Sequence, residues 1–81
     1  MDDVIFMVYF TKHAIRRLKS FRLSKDVVIE ALKHPEKVFY DILTSNFIAV
    51  MLYGTKYLIV MFNIDKNIKI ITVLLASKHS L

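Results

Sequence analysis

Residues 47–63 read FIAVMLYGTKYLIVMFN. FIAVMLY (47–53) and YLIVMFN (57–63), apolar throughout but for Asn63, flank Gly54-Thr55-Lys56, which holds the chain's only glycine. Runs of that length and composition read as strands, and so short a turn makes them antiparallel neighbours. Working outward, VFYDILT (38–44) comes before, across the polar pair Ser45-Asn46. IKIITVLLA (68–76) comes after, across Ile64-Asp65-Lys66-Asn67. The sequence thus predicts a four-stranded antiparallel meander over 38–44, 47–53, 57–63 and 68–76.

Before Pro35 the periodicity changes. VIFMVYF (4–10) reads as a strand. Ala14, Ile15, Leu18 and Phe21 then recur at helical spacing, so 12–21 reads as an amphipathic helix with Thr11 as N-cap. Ser24 is the N-cap of a second helix, whose stripe is Val27, Val28, Ala31 and Leu32. Pro35 ends it at or before His34. The expected fold is α+β in the order β-α-α-β-β-β-β, with two N-terminal helices packed on one face of an antiparallel sheet. The 81 residues are expected to make a single domain, 1–81.

The two decisive strands do not alternate apolar and polar residues; both faces of each are apolar. Two short helices can cover one sheet face, so the second face or an edge is expected to bury itself against another protein, unless the C-terminal tail or a curled sheet closes over it.

Composition excludes several classes. There is no cysteine, hence no disulfide and no thiolate metal site. With 56% hydrophobic residues, one glycine and one proline, the chain is not disordered. Mean hydropathy is high, +0.46. The candidate span 42–64 is nevertheless broken by Thr44, Ser45, Asn46, Gly54, Thr55, Lys56 and Asn63, so no membrane segment is expected. No leader with a small-residue cleavage site is visible, and the expected location is cytoplasmic.

The net charge is +5. Between Val4 and Lys25 there is no Asp or Glu, yet this stretch holds Lys12, Arg16, Arg17, Lys19, Arg22 and Lys25, six of the twelve basic residues. Lys12, Arg16 and Lys19 lie opposite the apolar stripe of the first helix. Such a field attracts phosphate, and Lys12, Arg16, Lys19, Arg22 and Lys25 are the candidate nucleic-acid-binding residues. An acidic protein would satisfy the same field, and a solvated helix face is the plain alternative.

No metal set and no glycine-rich phosphate loop can be read; Glu30 and His34, at i and i+4, read as a helix-surface pair. No cofactor is expected. What remains is metal-free phosphodiester chemistry, in which a base, an acid and cations let the RNA 2′-hydroxyl cleave its own backbone. Candidates are His13 with Arg17 on one helix flank, Lys78-His79 after the last strand, and Tyr53 and Tyr57 beside the turn. Each has an alternative: His13 as a structural residue at the strand-to-helix turn, Lys78-His79 as a frayed tail, the tyrosines as strand ends with wet hydroxyls.

Thr11-Lys12-His13-Ala14, then Arg17, then Leu23-Ser24, resembles small bacterial and archaeal proteins carrying a (T/S)-x-H-A-x-x-R-…-R-G-I-S motif. Ala31-Leu32, Pro35, Val38, Tyr57-Leu58-Ile59-Val60 and Thr72-Val73 follow in that group's order. The group is similar to the RelE/ParE toxin superfamily. The resemblance implies that superfamily's fold and a toxin of a type II toxin–antitoxin module, a metal-independent ribonuclease acting on RNA and neutralised by a small antitoxin. His13, Ala14 and Arg17 carry over at motif positions; where the group has its second Arg-Gly pair, Phe21-Arg22 stands. Lys78 and His79 lie where RelE-like ribonucleases use basic tail residues. Two further readings remain open from the residues alone: a non-catalytic nucleic-acid-binding or regulatory module, and a homodimeric interaction protein.

Overall fold

A computed structural model of the chain describes residues 7–77. The elements are β1 (Val8–Phe10), α1 (Lys12–Phe21), α2 (Lys25–Lys33), β2 (Lys37–Asp41), β3 (Asn46–Tyr53), β4 (Lys56–Ile64) and β5 (Ile68–Ser77). The architecture is α+β, with two helices and one five-stranded sheet in the order β1-β5-β4-β3-β2.

The meander is antiparallel as its short turns demand, with Ala49 opposite Val60 and Val60 opposite Val73. β1 pairs with β5 in parallel, Phe10 opposite Ile70, so the sheet is mixed and not wholly antiparallel as expected. No short turn joins β1 to β5, so nothing in its own sequence sets its direction.

Within the described segment the first strand is Val8–Phe10; residues 4–6 of the expected strand lie outside it. β2 stops at Asp41, so Ile42, Leu43 and Thr44 are not strand as predicted. Asp41 ends it: its carboxylate accepts the Leu43 N–H at 3.0 Å and the Thr44 hydroxyl at 2.9 Å. Its carbonyl accepts the Ser45 N–H at 2.8 Å, and Ser45 turns at φ 59°. Local side-chain bonds here outcompete the apolar β-propensity of the run. At the next hairpin Gly54-Thr55 alone separates the paired Tyr53 and Lys56, with Gly54 at φ 63°, the first-position positive φ of a type II′ turn.

The core lies on one face. Ala49, Leu58, Val60, Phe62, Ile70 and Val73 from the sheet are buried with Ala14 and Leu18 of α1 and Val28 and Ala31 of α2. The alternate residues Ile48, Val50, Ile59 and Met61 are only half-buried though their strands are central, and Phe39, Leu52 and Leu74 are exposed. Both helices serve the same face, and among the described residues nothing covers the other, which is apolar. Among the described residues no helix is long and apolar enough to cross a membrane.

Candidate functional site

β5 carries one extra residue. Met61 pairs with Thr72 and Phe62 with Ile70, so Ile71 is bulged out of register. β1 ends at this level, and Thr11 docks there. Its N–H donates to the Ile70 carbonyl at 3.1 Å and its hydroxyl to the Ile71 carbonyl at 2.9 Å. The same hydroxyl oxygen accepts the Ala14 N–H at 3.0 Å and caps α1. One threonine thereby ends a strand, starts a helix and fixes that helix to the sheet.

This anchor sets His13 beside β5. Its Nε2 lies 3.0 Å from the Thr72 hydroxyl, and Arg17 Nε lies 3.5 Å from the same nitrogen. With Nε2 unprotonated, its single lone pair accepts the Thr72 O–H in the short contact, and the Arg17 N–H contact is a long one at the edge of hydrogen-bonding distance. The bonds that fix the strand-to-helix turn to the sheet backbone are made by Thr11; His13 bonds a side chain instead. His13 is exposed, and the predicted His13–Arg17 pairing on one flank is present.

The cations follow the helix. Lys12, Arg16 and Lys19 are exposed on α1 opposite buried Ala14 and Leu18, and Arg22 at its C-terminal cap and Lys25 at the start of α2 are exposed as well. No carboxylate pairs with any of them among the described residues; the Glu30–His34 pair, at 4.0 Å, lies on α2. Lys12 and Arg16 line an open hollow of about 440 Å³ with Phe10 and Ile15. Lys25 Nζ stands 5.3 Å from the centre of the Phe10 ring, a cation–π geometry.

The two candidate tyrosines are not brought to this site. Tyr57 pairs with Ala76, four residues along β5 from Thr72 and so roughly 13 Å away, and Tyr53 lies further still, past the Gly54 turn. Lys78 and His79 lie outside the described residues. Among the described residues no cluster of His, Asp and Glu could hold a metal ion. The structure adds Thr72 and Phe10. Thr72 had a faint sequence signal as half of the Thr72-Val73 marker; Phe10 had none, being one more aromatic in an apolar strand.

No family model, no curated protein and no solved structure matches the chain.

Proposed function

We propose that this chain binds single-stranded RNA on the exposed face of α1 and acts there as the RelE/ParE-like toxin of a toxin–antitoxin module, a metal-independent ribonuclease restrained by a small antitoxin. One observation carries the reading: five exposed cations, with no acidic partner among the described residues, lie on and just after α1, where Lys12 and Arg16 line an apolar-floored hollow and His13 meets Arg17. Basic grooves with aromatic floors suit single strands, because bases stack while phosphates meet the cations. A base entering the hollow takes the place of Lys25 over Phe10 and frees that ammonium for a phosphate. In cleavage His13 Nε2 exchanges the Thr72 hydroxyl for the RNA 2′-hydroxyl and takes its proton. The 2′-oxygen attacks phosphorus, Arg17 faces the charge that develops, and the 5′-oxygen leaves with a proton from a tail group, for which Lys78 and His79 are the candidates. The β-α-α-β-β-β-β order is consistent with the fold the resemblance implies.

A second reading, RNA binding without cleavage, is favoured by the bond that already occupies His13 Nε2. The test is a labelled single-stranded RNA incubated with the protein in the presence of a chelator. Cleavage should occur, and His13→Gln should slow it about 10²-fold with binding unchanged. Lys12→Ala, Arg16→Ala and Lys19→Ala together should weaken binding and reduce its salt slope by about 2. Binding with no cleavage assigns the second reading. No salt-dependent binding by the original chain sinks both.

A further inference from the structure

β2 is the outer strand on the side of the sheet away from α1. Its free edge is apolar: Val38, Phe39 and Tyr40 are 52%, 51% and 53% exposed. Its ends are charged and opposite in sign, Lys37 and Asp41. Lys37 has no acidic partner among the described residues. An exposed apolar edge strand is a template for a further strand, and proteins without a use for one blunt it. This edge carries no proline and no bulge, and nothing inward-pointing is charged.

We propose that the β2 edge pairs antiparallel with the β2 edge of a second copy, about a two-fold axis through Phe39. Residues whose numbers sum to 78 then stand opposite: Phe39 faces Phe39, Val38 faces Tyr40, and Lys37 faces Asp41 of the second copy, twice over. The register follows from the residues. Slipping by one sends every side chain to the wrong face, since Lys37, Phe39 and Asp41 share the open face while Val38 and Tyr40 share the helix face. Slipping by two keeps the faces and separates both charge pairs. KVFYD is thus self-complementary in sign and in apolar pattern in one antiparallel register. Continued outward, that register brings Ile42 opposite Glu36 and Leu43 opposite Pro35 of the second copy. Ile42 and Leu43 are 82% and 95% exposed in the single chain, on a turn bonded to the Asp41 carboxylate. The product is a ten-stranded sheet with all four helices on one face. Both α1 surfaces lie at its far ends, so this assembly is independent of RNA binding.

The chain has no cysteine, so introduced thiols report cleanly. Phe39→Cys places two thiols directly opposite, about 5 Å apart at Cα, within disulfide reach. Val38→Cys places them on a diagonal at about 7–8 Å, at the limit or beyond it. Under mild oxidation Phe39→Cys should give a covalent dimer at least tenfold faster than Val38→Cys, and Leu52→Cys, on the open face, should give none. In sedimentation the original chain should dimerise at micromolar concentrations. Lys37→Glu and Asp41→Lys should each weaken that dimer about tenfold or more, because like charges then stand opposite. Mixing the two variants restores both attractive pairs and should restore the dimer. Circular dichroism on each variant checks the fold, and the cysteine series stands if Asp41→Lys fails to fold. A monomer at about 100 µM overturns the proposal. Faster cross-linking at Leu52 than at Phe39 overturns it in favour of face-to-face stacking. A monomer in which a small partner protein shields Cys at position 39 gives the edge to that partner and also overturns it.

Discussion

At one edge of the sheet β1 contributes three residues, and Thr11, next in the chain, takes up two β5 carbonyls while capping α1. At the other edge β2 pairs only with β3 and leaves three apolar side chains half in solvent. The first edge is closed by polar bonds and faced with cations. Among the described residues nothing closes the second. The two edges make different demands on their residues: at the first, Thr11 is bonded within the chain and sets the position of α1 and His13; at the second, the exposed side chains contribute little to the isolated fold and are free to meet another chain. The basic surface and the sticky surface are therefore separated by the width of the sheet.

The comparison is sharpest in stability. Ile70 is fully buried where β1, β5 and β4 meet. Ile70→Ala should cost about 2–5 kcal/mol, because the surrounding side chains cannot collapse into the space. Phe39→Ala at the other edge should cost under about 1 kcal/mol in the monomer, since half of that ring is already in water. Thermal unfolding at a concentration below dimer formation checks both: the first variant should lose about 10 °C or more and the second a few degrees. Equal losses would mean that the β2 edge is part of the monomer's core after all.

Thr11 tests the closed edge with a smaller effect. Thr11→Ala removes a helix cap and a hydroxyl bonded to the Ile71 carbonyl, and should cost about 1–2 kcal/mol. Thr11→Ser keeps both bonds and should recover most of the loss in denaturant titration. Failure of Ser to recover it would move the role from the hydroxyl to the methyl group and to packing.

What was legible beforehand divides along the same line. Elements whose signals are local came through: Thr11 and Ser24 cap their helices, Pro35 follows the end of α2, and the glycine turn sets the β3–β4 register. The one-sided placement of the helices followed from counting apolar faces. What failed was non-local or competitive. The parallel pairing of β1 depends on β5, far away in sequence. The end of β2 depends on Asp41, whose side-chain bonds interrupt a run that composition alone extends through Thr44. At the candidate site the basic helix and the His13–Arg17 pairing were visible, since residues four apart on a helix must meet. Thr72 was not linked to His13, because a bulge at Ile71 brings them together and bulges leave no reliable mark in a single sequence.

The closed edge also holds one residue against its preference. α1 ends in a Schellman turn: the Leu23 N–H reaches the Leu18 carbonyl at 2.8 Å and the Arg22 N–H reaches that of Lys19 at 3.2 Å. This requires Arg22 at φ 56°, ψ 44°, the left-handed region that disfavours any side chain with a Cβ. An arginine held in this conformation costs conformational energy that a glycine would not. Arg22→Gly should stabilise the chain by about 0.5–1 kcal/mol, less than the full left-handed penalty because glycine also loses more freedom on folding. The melting temperature should rise by a few degrees. Arg22→Ala removes the same cation and keeps the strain, so it should show no such rise. If Arg22 meets RNA phosphates, both variants should weaken binding alike while only one raises stability. A Gly variant no more stable than Ala would mean that the turn is not strained by arginine.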